Sequence, residues 1–192
     1  MPKIFTSLML TTLFFGGSAA LADEYSDSVA LFKNAGASSS FFGKSYAYAV
    51  FPSIGKGGFV VGAAHGDGKV FLKGGKFIGD TSMTQVSVGA QAGGEAFRQI
   101  IFFENKAALD SFTSGNFEFG ADVNAVAIKS GVSGSAGTVG TSATASSGGG
   151  KDAATGGAFI NGMAVFTMVK GGAMLQATVG GQKFKFTPAS AK

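Results

Sequence analysis

Apolar and polar positions along this chain follow three patterns, each predicting a different element. Residues 24–34 place Tyr25, Val29 and Phe32 at i, i+4 and i+7, with Glu24, Asp27 and Lys33 elsewhere, which predicts a short amphipathic helix. Ser38, Ser39 and Ser40 are placed to cap a second short helix carrying Phe41 and Phe42. From residue 48 the pattern changes to short aromatic and β-branched runs separated by glycine. Residues 48–51 read as a strand ended by Pro52, and Gly55-Lys56-Gly57-Gly58 reads as a turn. Residues 59–64 are apolar without alternation, as in a strand buried on both faces, and Gly66-Asp67-Gly68 carries hairpin chemistry before a third, alternating strand at 69–73.

Gly74-Gly75 predicts a turn into residues 77–79, and 84–89 alternate as a strand. Gly93-Gly94 then marks a bulge in a bent strand that continues through 97–103. Residues 104–112 return to helical spacing, with Ala107, Ala108, Leu109 and Phe112 on one side and Gly115-Asn116 as the stop. The period is two again from residue 117, where Phe117, Phe119, Ala121, Val123, Ala125 and Ala127 share a face: a half-buried strand. Residues 129–157 are almost all Ser, Gly, Ala and Thr, which predicts a flexible loop. The last segment repeats the first strand unit: Ala164-Val165-Phe166-Thr167-Met168-Val169-Lys170-Gly171-Gly172 matches residues 49–58 with Gly55 as a one-residue insertion. The expected fold class is α+β and β-rich, with antiparallel sheets, a short helical N-terminus and one internal helix.

The first 22 residues stand apart from this plan. Lys3 is the only charge before Asp23, residues 4–15 form an almost unbroken apolar run, and Ala20-Leu21-Ala22 is a small-x-small cleavage site. This is the pattern of a secretory signal, and the run is shorter than the ~20 residues a spanning helix needs. Cleavage after Ala22 would leave a single domain, residues 23–192, exported to the periplasm or secreted. Of 15 basic residues it would lose only Lys3, against 11 acidic ones, and this mild excess of scattered lysines favours anionic surfaces without calling for nucleic acid. With Cys 0, disulfides, thiolate chemistry and lipid attachment through cysteine are excluded.

Few residues offer catalytic chemistry. His65 is the single histidine, which rules out a multi-histidine metal site, and it reads as a surface turn residue. Gly43-Lys44-Ser45 and Gly148-Gly149-Gly150-Lys151 only mimic the end of a phosphate-binding loop, since Ser38 and Ala145 stand where the leading glycine belongs. Glu95, Glu104 and Asp110 are dispersed, and they read as surface charges. No enzyme is expected, and no cofactor.

Two features suggest contact with an anionic surface. If the repeated units are related by approximate symmetry, Lys56, Gly57 and Gly58 and their counterparts Lys170, Gly171 and Gly172 form two turns in which glycine amides and a lysine could hold a phosphate headgroup. The alternative, which glycine's ordinary use in sheet turns favours, is that they serve only the sheet and the lysines are solvated. In the N-terminal segment Tyr25, Val29, Leu31 and Phe32 could enter a membrane interface while Lys33 and Lys44 meet headgroups. Alternatively the helix packs this side on the sheet, a choice that Asp23, Glu24 and Asp27 favour.

These stretches together resemble a known family. YAVFPSIGKGGFVVG, TQVSVGAQAGGEAF, IIFFENKAALDSF, GNFEFGADVNAVA and AVFTMVKGGAMLQATVGGQKF occur in the order found in the SYLF, or Ysc84-like, domain, covering roughly residues 31–188. The resemblance implies a non-catalytic phospholipid-binding module whose N-terminal amphipathic segment carries part of the membrane contact. Some eukaryotic members also bind actin. This chain has a secretory signal and no SH3 or FYVE module, so it is closer to exported bacterial members, and actin is not expected as a partner. The expected function is binding to phospholipid at a membrane surface of the cell envelope, peripherally. An outer-membrane β-barrel and a self-associating structural protein of the envelope are the alternatives; lipid identity and oligomeric state are not legible.

Overall fold

The computed structural model describes residues 17–115, 117–119, 126–128 and 159–190, of which 17–23, 89–91, 126–128 and 171–180 are described by backbone alone. Three helices, α1 (Gly17–Asn34), α2 (Gly36–Ser39) and α3 (Phe41–Lys44), precede two very long strands, β1 (Ala47–Leu72) and β2 (Phe77–Phe103). Helix α4 (Lys106–Thr113), the short strands β3 (Phe117–Phe119) and β4 (Val126–Ile128), and a third long strand β5 (Met163–Pro188) follow. The sheet order is β1-β2-β5-β3 and antiparallel, with β4 pairing parallel to β5.

The predicted three-stranded unit at residues 48–73 is one strand. Neither Gly55-Lys56-Gly57-Gly58 nor Gly66-Asp67-Gly68 turns the chain, because both segments pair with β2 in the ladder. The hairpin turn lies instead at Gly74 and Gly75, whose φ values of 92° and 89° are open to glycine at little steric cost. β1 bends midway, where the register slips between Phe59 and Val61 and Val60 takes φ 65°. Beyond this bend the second limb of β1 returns over the first. A Cβ on Gly66 would stand 2.6 Å from the Ser53 carbonyl oxygen, and one on Gly68 would stand 2.6 Å from the Phe51 ring. The two ends of the strand meet where the Lys73 amide donates to the Tyr46 carbonyl at 2.9 Å. β2, predicted as a bent strand with a glycine interruption, bends alongside it, with Gly93 at φ 118°.

Folding the sheet in this way creates two cores. The inner one lies between the limbs and under α4, and includes Phe51, Ile54, Met83, Ile101, Phe103, Phe112 and Phe184. Asn105 caps α4, its side chain accepting from the Ala108 amide at 3.0 Å, and the predicted apolar side of this helix buries Ala108, Leu109 and Phe112. Polar bridging inside the curl is done by glutamine. Buried Gln99 donates to Gln182 at 3.1 Å, and Gln182 donates back to Gln99 at 3.3 Å and to Gln85 at 3.2 Å, tying limb to limb. The outer core covers the first limb beneath the helices and gathers Phe32, Phe41, Tyr48, Val50, Ile100, Phe102, Phe166 and Met168. Phe41 is its hub, with ring centroids of Phe102, Phe159 and Phe166 at 5.6, 5.1 and 5.0 Å.

Two further expectations change. Residues 59–64 are not buried on both faces, because they form the bend: Phe59 is 78% exposed and Val61 57%. The half-buried strand expected from residue 117 is represented by β3, where Phe119 is buried and Glu118 exposed, and by β4. Its middle, residues 120–125, and the loop expected at 129–157 lie outside the described residues.

Candidate functional site

Helix α1 is the element that shapes the site. It extends seven residues upstream of the predicted segment, beginning at Gly17, and Lys33 in its last turn complements the helix dipole. Phe32 is fully buried against the sheet, and Tyr25 and Val29 pack on the same outer core. The apolar side of this helix is therefore committed to packing, because β1 offers a matching face in Tyr48 and Val50. Ser38 holds the turn after α1 by donating to the Phe32 carbonyl at 2.6 Å.

Packing is incomplete along one flank. Between α1 and the hairpin end of β1 and β2 lies a groove of about 520 Å3, within the range of small-molecule sites. Its walls are Tyr25 and Val29 from the helix and Tyr48, Phe71 and Phe77 from the strands. Tyr48 stacks on Phe71 with ring centroids 5.4 Å apart, and Phe77 follows 5.9 Å beyond. Two lysines line the groove, Lys33 and Lys69. Lys69 Nζ stands 4.8 Å from the Phe77 ring centroid and 5.3 Å from that of Tyr25, and 3.4 Å from an Asp80 carboxylate oxygen. Lys33 Nζ lies 5.5 Å from the Phe42 ring centroid.

The phenols of the groove stay protonated well into the basic range. Burial pushes the Tyr48 hydroxyl above its ordinary value. Tyr25 moves the same way, by burial first and then by the carboxylates of Asp67, Asp80 and Glu24. The groove thus combines aromatic walls and two neutral phenols with two lysines, of which Lys69 is paired with Asp80, while Asp67, Asp80 and Glu24 stand close enough to act on Tyr25. That set suits an amphiphile with an anionic head.

Of the residues singled out in the sequence, Lys33 belongs to this groove. Lys44 ends α3, exposed on the surface. Lys56 and Lys170 are not brought together. Lys56 shares a face with Ile54 and is paired in register with Glu95, on the inner side of the sheet. It is half-buried; burial lowers its pKa, with Glu95 acting against the shift. Lys170 lies on the outer side, where it donates to Glu24 of α1 at 2.8 Å. Gly57 and Gly58 pair with Gly94 and Gly93, and Gly171 and Gly172 pair with Ala96 and Glu95, so all four sit in the ladder rather than at the tips of turns. Gly58 serves a close approach, since a Cβ there would stand 2.4 Å from Gly62 Cα.

His65 is exposed on the outer face, its Nδ1 3.2 Å from Thr84 Oγ1 and its Nε2 3.9 Å from Asp67, as fits a surface position. Sequence reasoning missed Lys69, Tyr48, Phe71 and Phe77 as site residues. The available signal was the four-residue spacing of Tyr25, Val29 and Lys33 on one helix side, together with Phe71 and Phe77 flanking the glycine turn.

No match was found among curated proteins or among solved structures. A family model described as Ysc84, Las17-binding protein actin regulator, matches residues 84–188. That match takes in the second limb of β2, α4 and the whole of β5, which is more than half of the chain, and the chain belongs to the Ysc84 (SYLF) domain family.

Proposed function

We infer that this chain is a non-catalytic phospholipid-binding protein of the cell envelope, exported and peripheral to a membrane, whose groove between α1 and the β1–β2 hairpin end holds one anionic phospholipid. The observation that carries this reading is the pairing of aromatic walls with Lys33 and Lys69. Membership of the family is consistent with lipid binding in general. Export rests on the first 22 residues. Their removal would leave Tyr25, Val29 and Phe32 in place, so cleavage after Ala22 is compatible with the packed form of α1. Actin is not part of the proposal.

A transmembrane barrel would turn its apolar side chains outward to lipid. Here Phe51, Phe103, Phe112 and Phe184 fill the interior instead, and helices cover part of the outer face, which favours the peripheral reading. Among the described residues no helix is long and apolar enough to cross a membrane.

Calorimetric titration with a monomeric short-chain phosphatidylglycerol tests the groove. Two lysines at ~1 kcal/mol each make Lys33→Gln/Lys69→Gln roughly thirtyfold weaker at low salt, with the loss shrinking as salt rises. Lys56→Ala/Lys170→Ala should change binding far less, since one lysine is on the inner face and the other is paired with Glu24. Equal affinity of the Lys33/Lys69 variant and the parent would refute the groove. Mass spectrometry of the protein recovered from an exporting cell should give Asp23 as the first residue.

A further inference from the structure

The bend of the folded sheet is a surface that the groove does not use. Three charge-free runs meet there: 57–66 on β1 between Lys56 and Asp67, 81–94 on β2 between Asp80 and Glu95, and 171–182 on β5 between Lys170 and Lys183. The register sets them side by side, with Gly57 opposite Gly94 and Gly94 opposite Ala173, then Val61 opposite Val88 and Val88 opposite Val179. The result is a belt across three strands without a full charge to desolvate. Its outer face carries apolar side chains in water: Phe59 is 78% exposed, Val61 57%, Val86 57% and Val88 58%. Val61, Val86 and Val88 stand at alternating or paired positions and share one face, while Gly62, Ala64 and Ser87 turn to the buried side; Val60, at the irregularity beside Phe59, is 52% exposed as well. Most large apolar residues of this sheet are buried, so their exposure here is local.

We propose that this bend penetrates the hydrocarbon boundary of a lipid bilayer and anchors the protein to it. Shallow insertion requires a backbone already paired and few charges. β2 pairs with β5 without a break through the bend, and with β1 on either side of the irregularity at Phe59 and Val61. Charges of both signs stand only beyond the ends of the belt, Lys56, Glu95 and Lys170 at one end and Asp67, Asp80 and Lys183 at the other, so insertion of the belt itself desolvates none of them. A second copy is the weaker occupant. β1 is one edge of the sheet, and its irregularity between Phe59 and Val61, with Val60 at φ 65°, makes it a poor template for another strand. The bend lies at the far end of β1 from the Gly74-Gly75 turn beside the groove, since the limbs fold back and the strand's two ends meet. Anchoring and the holding of a single lipid are then separable.

The chain has no tryptophan, so Phe59→Trp gives a single fluorophore at the tip and Asp67→Trp one beyond the belt. With phosphatidylglycerol–phosphatidylcholine vesicles, emission of the Phe59→Trp variant should shift to the blue and be quenched by brominated acyl chains, and that of the Asp67→Trp variant should do neither. Phe59→Asp, at an exposed position, should keep the parent's denaturation midpoint and weaken vesicle partition about tenfold, the effect of losing one buried aromatic ring. Vesicles that sediment the Phe59→Trp variant while its indole stays in water overturn the anchor and leave the groove untouched. Blue emission from that variant without vesicles overturns it too: concentration-dependent emission assigns the surface to self-association, and concentration-independent emission puts it under the chain itself. Absence of any vesicle binding refutes the anchor, whereas the short-chain titration judges the groove on its own.

Discussion

Returning the second limb of β1 over the first requires glycine at specific positions, and a series of alanine substitutions measures that requirement. At Gly68 a Cβ would lie 2.6 Å from two carbons of the Phe51 ring and 3.0 Å from a third. Phe51 is fully buried, with Phe184 behind it at a centroid distance of 5.7 Å, so the ring has little room to retreat. Overpacking of this kind costs ~1–3 kcal/mol, and alanine recovers about 0.4–1 kcal/mol by stiffening the unfolded chain. Gly68→Ala should therefore lose about 1–2 kcal/mol net. For a domain of this size that is a fall in Tm of roughly 2–8 °C. At Gly66 the nearest atom is the Ser53 carbonyl oxygen at 2.6 Å, and backbone yields less than a ring, so the loss should reach about 3 kcal/mol. Gly55 is the control. Nothing lies within 4 Å of a Cβ there, and Gly55→Ala should leave stability equal or raise it by about 0.5 kcal/mol. Urea denaturation followed by circular dichroism reads all three, with equal m-values confirming that stability alone has changed. Gly66→Ala and Gly68→Ala variants as stable as Gly55→Ala would refute the folded-back strand.

Three other measurements probe the same architecture. Gln99→Leu should cost about 1–3 kcal/mol in urea denaturation, because Gln182 loses its amide partner inside the curl, and Gln99→Leu/Gln182→Leu should cost less than the sum of the single variants. Asn105→Ala should remove about 1 kcal/mol by uncapping α4, and Asn105→Asp should restore most of it. An absorbance titration should show Tyr25 and Tyr48 ionising above the ordinary phenol value of 10.0. Folded protein then holds protons that the unfolded chain has released, so these phenols stabilise the fold fully below pH 10.0, and their contribution should fall as pH rises through their folded values. Unaltered tyrosine titration would show that the groove does not bury them.

What was legible in the sequence were the elements whose signal is local. Spacing at 24–34 and 104–112 finds two helices, and Gly74-Gly75 makes the expected turn; Gly93 takes a positive φ, but the ladder to β1 slips between Val88 and Ala92 rather than at Gly93-Gly94. The errors at residues 48–73 share one physical cause. Glycine reads as a turn former through its access to positive φ, whereas Gly55, Gly66 and Gly68 serve an extended strand, two of them by giving way to a neighbouring limb. Close approach between residues 51–54 and 66–68 is a tertiary fact with no local mark. The bland apolar run 59–64 misled for a related reason: a strand that bends turns its convex face to solvent, and absence of alternation does not distinguish that from burial. Of the expected headgroup residues only Lys33 lines the groove, since Lys69 and the aromatic walls come together only when the two ends of β1 meet.

The internal repeat shows how a correct sequence observation can carry a wrong geometrical consequence. Both copies do flank β2 as parallel neighbours, as related units should. Their registers, however, differ by one residue: Ile101 stands opposite Ala49 on one side and Val165 on the other, whereas the match by sequence sets Ala49 against Ala164. In a structure with a side-chain period of two, such an offset exchanges the faces. Phe51 accordingly fills the inner core while its counterpart Phe166 fills the outer one, and Val50 and Val165 are exchanged in the opposite sense. The lysines follow, Lys56 to the inner face and Lys170 to the outer, where Glu24 receives it. The repeat thus gives the sheet two apolar faces from one motif, which is what a strand layer covered by its own second limb on one side and by helices on the other requires. Two convergent lysine turns would need the registers to coincide, and the core would then lose one of its faces.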